Sequence, residues 1–302
     1  MSSLLTNSSA MTALSTLQSI SQNMATTQSR ISTGQRVATA SDNAAYWSIA
    51  TSMRADNSAL SAVSDSLGLS AATVDTQYTA LTTVLGSDGK SGLNKLQSLL
   101  VEAKTAGIDR SKIQSEITQI QQDMKNTAAS ATFNSVNWLS TTATTPATVN
   151  LVSSFSRVGG TPTINSIAVT VSNYSLYTAT QSGILDTVSG TSSIDTIAIG
   201  ALTDSTADQT TLDGYIAQVT NAINTVSQSA ANLGAIKNRI DNNTNFVKSL
   251  MDSVTRGIGQ LVDADMNAES TRLQAFQVQQ QLGVQALSIA NQNTQSILSL
   301  FR

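Results

Sequence analysis

Carboxylates and lysines are the groups this sequence offers for acid–base or nucleophilic work, because it contains no Cys and no His. Without thiols there are no disulfides, no thiolate nucleophiles and no common structural zinc sites. Without imidazole the usual general base and the commonest metal ligand are missing. The 19 acidic residues are scattered along helical faces, the arrangement of solvated helix charge and not of a paired acid and base. No GxGxxG, phosphate-binding loop or HExxH motif occurs. Tyr46, Trp47, Phe133, Trp138 and Phe246 could in principle cage a ligand, but in a chain with 4% aromatic residues they read as packing at helix ends and bundle corners. The sequence therefore predicts no enzyme, no metal and no cofactor.

The elements that would position any site are dominated by one repeat. Leu212, Val219, Val226, Leu233, Ile240, Val247, Val254 and Leu261 recur at every seventh position, and Ile216, Ile223, Ala230, Met251 and Ile258 form a second row. Apolar spacing that alternates four and three is a heptad, and it predicts one continuous helix with a seam facing a partner helix. At 1.5 Å per residue that run spans roughly 75 Å. A matching partner exists upstream in Met53, Leu60, Leu67, Val74 and Leu81, again seven apart. Between them, Leu93, Leu96, Leu100 and Ala103 and then Ile113, Ile117, Ile120 and Met124 predict a third helix that pauses at Gly107. Ser41 and Asp42 read as a cap for the second helix, and Ser111 with Gln114 as a capping box.

From Phe133 the period changes. Residues 141–204 are rich in Thr, Ser and Gly, hold both prolines, and contain β-branched runs at Thr148–Val152, Ile164–Val171 and Ile194–Ile199. They predict a small β-rich insertion projecting from the bundle, with a flexible Ser/Thr linker as the alternative.

The two ends share an unusual chemistry. No charged side chain occurs from Met1 to Ser29 or from Gln274 to Phe301. The apolar stripe is Leu4, Met11, Leu14, Leu17, Ile20 and Met24 at one end, and Leu273, Phe276, Leu287, Ile297, Leu300 and Phe301 at the other. Ser, Thr, Asn and Gln fill the polar faces. Burying a charge costs several kcal/mol unless it is paired, whereas amides satisfy one another at little cost. Two charge-free amphipathic ends therefore point to termini that pair and are buried collectively, as in the core of a fibre built from many copies. The whole chain is only 12% charged, with net charge −3 and no basic block, so nucleic-acid binding has no electrostatic footprint. Nothing approaches the ~18 apolar residues of a membrane span, and the start lacks the basic segment of a secretory signal. The fold class expected is mainly α: an elongated antiparallel coiled-coil bundle with paired terminal helices and a small β-rich outer insertion.

Particular motifs carry a resemblance. Arg30-Ile-Ser-Thr-Gly-Gln-Arg-Val37, Ala40-Ser-Asp-Asn-Ala-Ala45 and Ile49-Ala50 resemble the N-terminal signature of bacterial flagellins. Leu233-Gly-Ala-Ile-Lys-Asn-Arg-Ile240, Asp263-Ala-Asp265 and the ending from Ala290 to Arg302 resemble the C-terminal half. The resemblance covers about residues 1–140 and 205–302, and looks most like the flagellins of alphaproteobacteria.

It implies a filament subunit secreted into the extracellular flagellum without a cleaved signal, and working in swimming motility. Residues 1–40 and 265–302 would be the inner core, 41–140 and 205–264 the coiled-coil bundle domain, and 141–204 the variable surface insertion. Implied partners are further copies or other flagellins, an export chaperone on about Leu273 to Arg302, and junction and cap proteins. Host immune receptors are a further implied class, engaged weakly. Ser29 to Ala50 resembles the segment plant receptors read around Arg30 and Asp42, but Asn43 stands where a second Asp is usual, and Tyr46-Trp47 replaces a Gly and its neighbour. In the segment animal receptors read, Ser98 and Leu100 stand where arginines are usual, while Glu116 remains. A hook–filament junction protein, which shares such ends, is the rival reading.

Overall fold

A computed structural model describes residues 7–141, 148–158, 161–189 and 192–299, with side chains for all of these but 158, 162 and 293–299. Six helices account for most of it: α1 (Ser8–Thr33), α2 (Ala44–Leu85), α3 (Gly92–Glu102), α4 (Arg110–Ser130), α5 (Thr206–Val262) and α6 (Met266–Ser299). Two short strand pairs complete the secondary structure, β1 (Ser140–Thr141) with β4 (Tyr177–Thr178) and β2 (Thr148–Val158) with β3 (Thr161–Thr170). The chain divides into two compact units, residues 1–58 with 251–302, and residues 59–250. The divisions fall inside α2 and α5, so each of these helices serves both units.

The larger unit is built on the heptads. Leu60, Leu67, Val74 and Leu81 of α2 and Leu212, Val219, Val226, Leu233, Ile240 and Val247 of α5 are all buried. The two helices run antiparallel there, since Asp75 pairs with Lys237 and Tyr78 lies over Gly234. On α3 the buried row is Leu93, Leu96, Leu99 and Leu100, and Gln97 donates to Thr220 of α5. A tight turn connects α2 to α3 with Gly86 and Gly92 at positive φ; a Cβ on Gly86 would run into the Ser91 carbonyl. The buried Arg110 clamps the start of α4. Its guanidinium donates to the carbonyls of Ala103 and Leu202 and to the Asp204 carboxylate at 2.6 Å. That bond, joined by the Gly107 N–H, holds the Asp204 carboxyl below its ordinary range.

The insertion rests on this unit. Leu139, Leu176, Leu185, Ile194, Ile197 and Ile199 are all essentially inaccessible. Gln121 of α4 donates to the carbonyls of Ile194 and Ile197, and Ser229 of α5 donates to the Asn173 carbonyl. Within the β2–β3 hairpin a bulge lies between Val152 and Ser154, and Ser153 accepts from Asn243 of α5. Ile194–Thr196, expected as strand, is a single 3-10 turn closed by a Ser193–Thr196 capping box. Its carbonyls go to the Gln side chains of α4 and not to a neighbouring strand, which is why β-branched residues there do not make a sheet.

Two helix starts also differ from expectation. Asn43 and not Ser41-Asp42 caps α2, its Oδ1 accepting from the Tyr46 N–H at 3.1 Å. Asp42 is already engaged by the N–H groups of Ala38 and Thr39. Asp109 caps α4 by accepting from the Ser111 N–H, while the Gln114 side chain reaches away to Ile197 and Ile199.

Candidate subunit interface

The smaller unit carries the charge-free ends. Asn7 caps α1, its Oδ1 accepting from the Ala10 N–H, and its amide donates to the Ala290 carbonyl of α6. Gly34 closes α1 at φ 70, a left-handed conformation that glycine adopts without a Cβ penalty. Asp265 opens α6 by accepting from the N–H groups of Asn267 and Ala268. The links between helices are tied together: Arg36 and Val37 donate to the Val262 carbonyl, and Ala264 donates to that of Gly34. These bonds set α1 and α6 side by side and antiparallel, with Asn7 near Ala290, Leu17 on Gly283 and Arg30 near Glu269.

The seam between them is thin. Leu17, Ile20 and Met24 of α1 and Leu273, Phe276 and Leu287 of α6 are only half-buried, and Thr27 is the one buried residue on α1. Met11 and Leu14 lie off the seam, 65% and 49% exposed, because Ala10 and Ala13 occupy it. Ile297 lies in α6, its side chain not described, and Leu4, Leu300 and Phe301 fall outside the described residues. Of the bundle residues, Met53, Val254 and Leu261 fall in this unit and are half-buried, with the Met53 thioether methyl over Gly257.

Sequence reasoning missed a second apolar row. Val278, Leu282, Val284 and Ile289 of α6 are each between 55% and 60% exposed. The signal was present, since Val278, Leu282 and Ile289 are spaced by four and seven on the charge-free stretch of α6 that begins at Gln274. With Met11 and Leu14 they make six large apolar side chains facing outward on one helix pair. Covering them releases on the order of 10 kcal/mol, the scale of a whole domain's stability. A soluble monomer gains nothing from such a face; an assembly does.

Charge reappears where the pair ends. The buried Glu269 carboxylate accepts from Arg272 at 2.7 Å and Arg30 at 3.4 Å. Arg36 donates to the Leu261 carbonyl and lies 6.0 Å over the Tyr46 ring. The Thr39 N–H, followed by its hydroxyl, holds the Asp42 carboxyl below the usual range. Arg30, Asp42, Asn43 and Tyr46 are thus gathered around one turn. Ser98 and Glu116, in the other unit, are exposed, Glu116 pairing with Lys95 at 3.0 Å. Leu100 corrects the sequence reading: it is fully buried on α3, facing the core, and presents nothing for an outside protein to read. Trp138 is likewise core, packed 6.3 Å from Tyr174. No cluster of three metal-capable side chains occurs among the described residues, and no helix among them is long and apolar enough to cross a membrane.

Residues 4–144 match the bacterial flagellin N-terminal helical region, and residues 216–301 match the bacterial flagellin C-terminal helical region. The chain belongs to the bacterial flagellin family. It is 44% identical over 303 residues to a flagellin of Brucella melitensis biotype 1, and 41% identical over 329 residues to flagellin C of Rhizobium meliloti strain 1021. Flagellin A of the same Rhizobium strain is 38% identical over 403 residues, and all three alignments cover the whole of both chains. Flagellins are structural proteins, so the chain is a subunit of the extracellular flagellar filament and not an enzyme. The first matched region extends over α1 and the second over α6.

Proposed function

We propose that this flagellin self-assembles into the helical filament that drives swimming, through the outward apolar faces of α1 and α6. The observation that carries this reading is the six exposed apolar side chains on the charge-free stretches of α1 and α6, up to Ser29 and from Gln274 onward. Residues 1–40 and 265–302 form the inner core of the polymer, with Leu4, Met11, Leu14, Leu17, Ile20, Met24, Leu273, Phe276, Leu287, Ile297, Leu300 and Phe301 in its contacts. Residues 41–140 and 205–264 make the surrounding bundle layer, and 141–204 lie toward the surface. Copies of this chain, or other flagellins, are the main partners. An export chaperone holds the segment from Leu273 onward before export through the flagellar secretion apparatus, and junction and cap proteins meet the filament ends. Receptor engagement is weak, because Asn43, Tyr46 and Ser98 depart from the usual residues and Leu100 is buried.

Electron microscopy and sedimentation of the full chain, beside a variant lacking residues 1–29 and 274–302, test the reading. Filaments from the first and a soluble helical monomer from the second are expected. The same filaments from both would move assembly to the bundle and overturn it.

A further inference from the structure

The chain has seven methionines and no cysteine, so peroxide-class oxidants meet thioethers as its only sulfur. These thioethers differ sharply in access. Met124 is buried, Met24, Met53 and Met251 are half-buried, and Met266 and Met11 are 45% and 65% exposed. Among the described methionines Met11 is the most exposed, and it stands on α1 one turn from the exposed Leu14. Met266, at the first position of α6, lies outside the row formed by Val278, Leu282 and Ile289.

We propose that Met11 is an oxidation site whose sulfoxide blocks assembly of the subunit, an inference that rests on the proposed role of the α1–α6 face. The sulfur lone pair attacks one peroxide oxygen and the O–O bond breaks. The S–O bond forms, and the second oxygen, keeping its own hydrogen or alkyl group, takes the proton of the attacked oxygen and leaves as water or an alcohol. Sulfur loses two electrons and the peroxide gains them. The product replaces a flexible apolar thioether with a polar, chiral group. On a free subunit that group is solvated at no cost. In the proposed assembly it must be desolvated among apolar side chains, a cost the thioether does not carry. Oxidation therefore acts on free subunits, and assembly protects Met11 by covering it. Reduction of the sulfoxide restores the original surface.

The test treats full-length monomer with dilute hydrogen peroxide and follows each methionine by peptide mass spectrometry and the critical concentration for polymerisation by sedimentation. Met11 and Met266 are expected to convert first and Met124 last. The critical concentration should rise on the order of tenfold in step with Met11 conversion. Methionine sulfoxide reductases should reverse the rise. M266L should keep the peroxide response, whereas M11L, whatever its own critical concentration, should lose it. Preformed filaments should retain reduced Met11. Full conversion of Met11 with an unchanged critical concentration overturns the proposal, as does a peroxide response that survives in M11L. Neither result touches the assembly reading, which fails only if polymerisation proceeds without the terminal helices.

Discussion

The two units use the same helical periodicity to opposite ends. In the larger, the heptad rows of α2 and α5 close on each other and on α3, and their leucines and valines are buried within the chain. In the smaller, α1 and α6 cover each other along a thin seam and leave Met11, Leu14, Val278, Leu282, Val284 and Ile289 exposed. The charge pattern follows the difference. Ion pairs such as Asp75–Lys237 and Lys95–Glu116 ring the closed unit, where water solvates them, while the open pair carries none between Asn7 and Ser29. A surface that is solvated in the final state can hold charge; one that is to be covered by copies of itself cannot do so cheaply. The larger unit supplies its own core; in the proposed assembly the smaller has its core completed by other chains.

Substitutions on the apolar rows test that contrast most strongly. Leu233→Ala should destabilise the monomer by about 3 kcal/mol, because it opens a cavity in a closed core. Leu282→Glu should leave monomer unfolding in denaturant unchanged, yet raise the critical concentration for polymerisation by roughly a hundredfold or more, since a carboxylate would be buried unpaired. If Leu282→Glu polymerised normally, or melted the monomer, the open-pair description would be wrong.

The glycines give a second, smaller contrast. A Cβ on Gly86 meets backbone at positive φ, whereas one on Gly34 meets nothing within 4 Å. Gly86→Ala should cost about 3 kcal/mol or more in monomer stability, and Gly34→Ala about 1 kcal/mol, its left-handed conformation alone. Equal losses in chemical denaturation would show that the α2–α3 turn relaxes freely.

The smallest effect concerns pH. Burial, followed by the nearby Asp195 and Asp186 carboxylates, raises the Tyr177 phenol above its ordinary value of 10.0. A raised folded value means that the neutral phenol's contribution is whole below pH 10.0 and is lost progressively as pH climbs above it. Spectrophotometric titration of the phenolates should show Tyr174 and Tyr177, both raised by burial, lagging behind the rest in wild type. The Tyr177 component should vanish in Tyr177→Phe, whose larger unit should also resist alkaline unfolding better. If Tyr177 titrated with the exposed tyrosines, the packing of β4 against the core would be in error.

Much of this protein was legible from residue types and spacing. An unbroken run of eight apolar positions at sevens could only be a long helix with a partner, and α5 covers it from Thr206 to Val262 despite four glycines. The pause at Gly107 and the break before α6 were readable because glycine at positive φ and an Asp cap are local chemistry, decided within a few residues. Charge-free ends foretold paired α1 and α6 for a reason that is also compositional. What required the tertiary structure was everything set by partners distant in sequence. Ser111 and Gln114 can form a capping box, yet Asp109 caps α4, because the Gln114 side chain is taken by Ile197 and Ile199 of a distant segment. Ile194–Ile199 has strand propensity, but the Gln121 and Gln114 side chains donate to the Ile194 and Ile197 carbonyls and Gln114 accepts from the Ile199 N–H, leaving no ladder to join. Leu100 and Leu282 look alike in sequence. One faces a core that the chain completes by itself and the other a surface that it does not, and only the packing of helices far apart in the chain separates them.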